Sequence, residues 1–167
     1  MKNLKHQTLL IIDFGSQVTK LIARRLRERK IYCEIHPCKN ITNLFLKKLS
    51  PKAIILSGGP KSVNDHSSPK VNSSIYELGI PILGICYGQQ LMMHQLGGKV
   101  ESGKFSAEFG RAFLELKKET KLLDGWFNQN KEVVWMSHGD HVSKLAPGFE
   151  ICAISPNASH AVVADIK

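Results

Sequence analysis

Apolar positions in this chain fall into short dense blocks separated by polar turns, and the first hundred residues repeat one rhythm. "TLLIID", residues 8–13, is an aliphatic run too short for a helix and predicts a first strand. "FGSQVTKLIARRLRERK" follows with a helical period. Val18, Leu21, Ile22 and Leu26 mark one apolar face, and Ser16 is the candidate N-cap. "IYCEIHP" predicts a second strand stopped by Pro37, "ITNLFLKKLS" a short helix, and "PKAIILSGGP" a third strand running into a glycine turn. After a polar loop, "VNSSIYELG" predicts a short helix closed by Gly79. "IPILGIC" is the fourth strand, and "GQQLMMHQLGG" the helix behind it.

Strand and helix alternating in this way require parallel pairing with right-handed crossovers, so the fold class is α/β with an open, doubly wound sheet. Blocks such as "AIIL" and "PILGI" suit strands covered on both faces. Past Gly98 the rhythm changes. "GRAFLEL", "KEVVWMS", "FEICAIS" and "HAVVADI" predict strands with little helix between them, an antiparallel C-terminal extension. No repeat or linker divides the chain, and residues 1–167 read as one domain. Ligands in open α/β sheets bind beyond the carboxyl ends of the strands. Those ends are Asp13-Phe14-Gly15, Ser57-Gly58-Gly59 and Cys86-Tyr87-Gly88, which are expected to converge on one crevice.

Composition narrows the classes. With 167 residues, 43% hydrophobic and 22% charged, the chain can bury a core and is not disordered. No apolar run approaches the ~20 residues of a membrane span. The amino-terminal lysines precede a run ended by Asp13 and Phe14, not by a signal-peptide cleavage site. A cytoplasmic protein without a membrane partner is expected. The net charge is +9, and its densest basic run, "RRLRERK", puts most of its cations on the polar side of a helix with no interleaved aromatics. That reads as a solvated face, with no nucleic acid partner, and leaves an acidic protein partner open. Cys33, Cys38, Cys86 and Cys152 lack the paired spacing of a zinc site, so no metal is expected, and three of them read as packing residues.

Cys86 is the exception. Gly84-Ile85-Cys86-Tyr87-Gly88 has the form Gly-x-nucleophile-x-Gly at a strand-to-helix junction, the cysteine version of a nucleophile elbow. Glycines at both ends let neighbouring backbone approach closely, and the following helix aims its N-terminal amides at the sulfur, which favours the thiolate. A thiolate attacking a carboxamide also needs oxyanion donors. The amide of Tyr87 is the first candidate, and Gly59 in "LSGGP" the second. His94, eight residues along the helix and ~12 Å away, is out of reach as a base. His138 and His141 in "VVWMSHGDHV" follow an apolar strand, and a triad of Cys86, His138 and Asp140 is open, with the last two on a loop.

"IIDFGSQ", "AIILSGGPKSV", "PILGICYGQQLM", "LGGKVE" and "VVWMSHGDHV" together resemble the class I, triad-type glutamine amidotransferases. "DFGSQ" and "WMSHGD" point, within that class, to the glutaminase domains of the GMP synthetase family. The resemblance runs from residue 8 to the C-terminus. It implies a flavodoxin-like amidotransferase fold, L-glutamine as substrate, Cys86 as nucleophile, and an oxyanion hole at Gly59 and Tyr87. Gly58, Gln90, Ser137, His138 and Asp140 fall to the substrate pocket. It implies no cofactor in this domain. ATP and magnesium act in a partner ATP-pyrophosphatase (synthetase) domain of the same polypeptide, which aminates XMP to GMP, and the full-length protein is expected to be a homodimer. Gln89 and Phe109 replace the methionine and tyrosine usual in the family.

One departure is large. The family takes its base and orienting carboxylate from a His-Pro-Glu segment, and none occurs in these 167 residues. The expectation is a chain that stops short of that segment, lacks the synthetase domain and is poorly active alone. The alternatives are an amidotransferase for another acceptor and a non-catalytic module that binds glutamine or a partner.

Overall fold

A computed structural model of the chain describes residues 7–103 and 107–165. The lysines ahead of the first strand and Ile166, the last residue of the strand read from "HAVVADI", lie outside them. Two compact units form, Met1–Leu91 and Met92–Lys167.

The first unit is the parallel half. β1 (Leu9–Asp13), β2 (Cys33–Pro37), β3 (Ala53–Leu56) and β4 (Ile82–Gly84) pair in the order β2-β1-β3-β4. Every pairing is parallel. The order reverses between β1 and β3, which is the switch point where such sheets take ligands. Leu10, Ile11, Ile12, Ile54 and Leu56 are at most 1% exposed, as a sheet covered on both faces requires.

Helix α1 (Thr19–Glu28) packs Ala23, Ile22 and Leu26 against Ile11, Cys33 and Ile55. This corrects the face read from the sequence. Val18 and Leu21 are half exposed, while Thr19 is buried because its hydroxyl donates to Asp13 Oδ1 at 2.7 Å. Ser16 does not cap the helix either. Its Oγ accepts the N–H of Val18 in the turn before, and the helix begins without a side-chain cap. Helix α2 (Asn43–Leu49) is capped by Thr42, whose Oγ1 accepts the Phe45 N–H at 3.1 Å. The segment read as a helix before Gly79 is a 3-10 turn, Ser73–Glu77. Helix α3 (Tyr87–Gln95) follows β4 after a two-residue turn.

The second unit is antiparallel and hydrogen-bonds as two sheets of its own. β6 (Glu108–Leu116), β7 (Lys131–His138), β9 (Phe149–Ile154) and β10 (Val162–Asp165) form one, in the order β10-β9-β6-β7. β5 (Lys99–Ser102) and β8 (Asp140–Lys144), both missed by the sequence pattern, form the other. On the hairpin of β6 and β7, Leu114 is buried on one face, whereas Phe109, Phe113, Val133 and Trp135 are exposed on the other. The Arg111 guanidinium lies 5.4 Å above the Phe113 ring on that outer face.

Candidate active site

The site in the first unit grows from three strand ends. β3 runs out at Leu56, and Ser57 turns its hydroxyl back, accepting from the Phe14 N–H at 3.2 Å and donating to the Gly58 carbonyl at 2.9 Å. Asp13, at the end of β1, closes its own turn by accepting from the Gly15 N–H at 3.1 Å and the Thr19 hydroxyl. These bonds fix the backbone at the switch point.

Glycines then allow the third strand end to come alongside. A Cβ on Gly58 would lie 3.6 Å from the Cys86 Cβ and 3.5 Å from Ser16 Oγ. A Cβ on Gly59 would lie 2.8 Å from the Phe14 carbonyl oxygen and 3.4 Å from the Tyr87 ring. The glycine pair therefore lies beside Cys86 and Tyr87, close enough that added methyl groups would touch them, and the three strand ends do share one locality. Ser16 joins them there, a neighbour the sequence reading assigned only to a helix cap.

Cys86 itself has φ 51°, the left-handed region that a side chain other than glycine occupies only under strain. Its neighbours impose this. The Ile85 N–H donates to the Leu56 carbonyl at 2.9 Å, ending the strand, and the Gln90 N–H donates to the Cys86 carbonyl at 3.0 Å, starting the helix. Cys86 is exposed while Cys33, Cys38 and Cys152 are buried, so the one thiol on the sharp turn is the one solvent reaches. Burial pushes the Cys38 and Cys152 thiols up.

Tyr87 is 1% exposed. Its ring centroid lies 5.2 Å from that of Phe14, and its hydroxyl donates to the Pro69 carbonyl at 2.6 Å. Burial pushes its phenol up. The side chain is thus spent on packing, which leaves its backbone as the part adjoining Cys86. Gln90 is buried one turn into α3, and His94 is exposed near the end of the helix.

Ser137, His138 and Asp140 belong to the second unit, and they are not on a loop. β7 ends at His138 and β8 begins at Asp140, with Gly139 alone between. His138 Nε2 lies 3.3 Å from Oε2 of Glu108, and Asp140 Oδ1 accepts from the Ser102 hydroxyl at 2.6 Å. The carboxylate beside His138 is therefore Glu108, which the sequence pattern does not single out. Glutamate in a strand carries no signal of burial, and only the register, Glu108 opposite His138, makes the pair visible. Among the described residues no cluster of three or more His, Cys, Asp or Glu side chains could hold a metal ion. No helix among them is long and apolar enough to cross a membrane.

A parallel sheet with a strained, exposed cysteine at the strand-to-helix turn and a glycine pair beside it is the arrangement of an amidotransferase. The glutamine amidotransferase class-I family matches residues 10–166, and the chain belongs to that family. It is 60% identical over 162 residues to the GMP synthase (glutamine-hydrolyzing) of Cereibacter sphaeroides, covering 96% of this chain and 31% of that protein. The proteins of the same name from Dinoroseobacter shibae and Agrobacterium fabrum are 59% and 55% identical, over 99% and 96% of this chain and 32% and 30% of theirs. The chain thus spans about a third of the length of these curated relatives. Crystal structures of glutamine amidotransferases from Methylobacillus flagellatus and Thermotoga maritima share the fold, with TM-scores of 0.72 and 0.69 at 17% and 20% identity. They match 97% and 95% of this chain and 66% and 74% of their own.

Proposed function

We propose that this chain is the glutaminase portion of a GMP synthetase, releasing ammonia from L-glutamine for the amination of XMP to GMP. One observation carries the chemistry: Cys86, exposed and held at φ 51°, with Gly58 and no intervening side chain beside it. The high identity to proteins named GMP synthase supports the acceptor.

On this reading the Cys86 thiolate attacks the carbon of the glutamine side-chain amide. A C–S bond forms, and the carbonyl oxygen becomes an oxyanion that the N–H groups of Tyr87 and Gly59 receive. Collapse breaks the C–N bond. The nitrogen takes a proton from the conjugate acid of the base and leaves as ammonia, with a γ-glutamyl thioester on Cys86. Water, deprotonated by the same base, attacks the thioester, the C–S bond breaks, and glutamate departs. Gly58 and Gln90 line the side-chain end of the substrate, and Ser137, His138 and Asp140 take its amino-acid end. The domain itself uses no cofactor. ATP and magnesium act in a synthetase domain on the same polypeptide, and the full-length protein is a cytoplasmic homodimer.

No His-Pro-Glu segment occurs in the 167 residues. On the family resemblance the base comes from such a segment outside them, and this chain alone turns glutamine over poorly or not at all. General-base assistance is worth ~10²–10⁴ in rate.

Two assays test the reading. The full-length protein, given XMP, ATP and magnesium, is expected to make GMP from glutamine. Cys86→Ala is expected to abolish that, and added ammonia to restore it. The absence of GMP with either nitrogen source would overturn the acceptor. Rapid glutamate release by the 167-residue chain, lost in Cys86→Ala, would show that the base lies within it.

A further inference from the structure

The corner assigned to the amino-acid end of glutamine is pinned from two sides by different sheets. The chain leaves the sheet of β7 at His138 and enters that of β8 at Asp140, with one residue between. Each of the two residues has a polar partner directly across its own strand pair. His138 stands opposite Glu108, and Asp140 opposite Ser102.

The Glu108 side is buried and extends further. Glu108 and Ser155 are each 6% exposed. A carboxylate so enclosed persists only with partners. The Ser155 Oγ accepts the Ala158 N–H at 3.0 Å, so its own proton is free to go to Glu108 Oε2 at 2.6 Å. The same carboxylate oxygen faces His138 Nε2 at 3.3 Å. A relay of hydrogen-bonding groups thus runs from the loop after β9, through Ser155 and Glu108, to the ring of His138.

Such a pair is a poor way to gain stability, since apolar residues of similar volume do as well or better. What it supplies is a single orientation. The other ring nitrogen of His138, Nδ1, is buried and has no partner among the described residues, which leaves Glu108 as the polar anchor of the imidazole.

We infer that Glu108 is a positioning residue for glutamine: it holds the His138 ring, and through it the backbone of residues 137–140, in the geometry that receives the amino-acid end of the substrate. The inference rests on the glutaminase reading above. Glu108 takes no part in the bond-making steps.

The test uses the full-length protein and reads glutamine KM, glutamine-driven kcat and the ammonia-driven rate. Glu108→Gln keeps the volume but removes the charge. A hydrogen bond to a charged group corresponds to roughly 10- to 150-fold in an equilibrium constant. Glutamine KM is therefore expected to rise by about tenfold or more, with kcat at saturation within about threefold and the ammonia-driven rate unchanged. In a His138→Ala background the same change is expected to move KM by less than about twofold, because its effect runs through the ring. An unchanged KM in Glu108→Gln, or an equal increase in the His138→Ala background, would overturn the inference. Should Glu108→Gln fail to fold, Ser155→Ala removes only the brace behind the carboxylate. It is expected to raise KM in the same direction by a smaller factor, and an unchanged KM there would also overturn it. A wild-type protein that cannot use glutamine at all would count against the glutaminase reading instead.

Discussion

Gly88 passes so close to β3 that a Cβ on it would sit 2.2 Å from the carbonyl oxygen of Leu56. Gly84 is as tightly placed, its Cβ position 2.6 Å from the Gln89 nitrogen. The two glycines bracketing Cys86 therefore seat the start of α3 directly on the sheet. Gly88→Ala must push the helix off β3, and the obstacle is backbone, which cannot rotate away. A loss of about 3 kcal/mol is expected, the upper end of overpacking costs, or about 6–12 °C in Tm for a chain of this size. Gly79→Ala is the control. Gly79 has φ 65° but nothing within 4 Å of its Cβ position, so only backbone strain of about 1 kcal/mol applies. Thermal denaturation of the two variants checks the difference, and equal losses would refute it.

Strain at Cys86 is a cost that function retains. Glycine adopts φ 51° without the Cβ penalty, so Cys86→Gly is expected to raise stability by about 1 kcal/mol while removing the nucleophile. Cys86→Ala, which keeps a Cβ, should gain none of this. Urea midpoints of the three proteins decide the matter. A Cys86→Gly chain no more stable than Cys86→Ala would mean that the turn is not strained.

The central strands of the parallel half, β1 and β3, were legible because they are buried on both faces and so appear as unbroken aliphatic blocks. Legibility failed where a polar residue is buried or an apolar one is not. Thr19 lies inward because Asp13 satisfies its hydroxyl, and that shift carries Val18 and Leu21 into solvent. β5 and β8 escaped notice because each offers one inward aliphatic residue. Val100 and Val142 face each other in register amid charged neighbours, leaving no period to read. The site divides along the same line. The Cys86 turn is a local signal of glycine spacing, readable in five residues. The pairing of Glu108 with His138 depends on strand register across thirty residues, which no local pattern encodes.

Alkaline pH is expected to destabilise the fold before most surface groups respond. Burial raises the thiols of Cys38 and Cys152 and the phenols of Tyr76 and Tyr87. In the unfolded chain such groups ionise near ~8.5 and ~10 respectively, while the folded chain keeps their protons to higher pH. Above those values the unfolded state binds fewer protons, so stability falls as pH rises. These four groups contribute no slope below about pH 8, a gentle decline begins with the thiols, and the decline steepens above about pH 10. Urea midpoints between pH 7 and pH 11 measure it. Tyr76→Phe should flatten the steeper limb, and an unchanged limb would remove Tyr76 from the account.

The glycine pair beside Cys86 separates folding from binding. A methyl on Gly58 would meet Cys86 and Ser16 at 3.6 and 3.5 Å, ordinary contact distances, whereas one on Gly59 would meet the Phe14 carbonyl oxygen at 2.8 Å. Gly58→Ala therefore fits the fold but fills space next to the thiol. Its Tm should stay within about 2 °C of the parent, since the change costs under about 0.5 kcal/mol. Glutamine turnover in the full-length protein should nevertheless fall by about tenfold or more, because a methyl displaced into a reacting geometry disturbs alignment steeply. Gly59→Ala should lower both Tm and turnover, since Phe14 must move to admit it. Normal turnover in Gly58→Ala would show that the space beside Cys86 is not where the substrate amide lies.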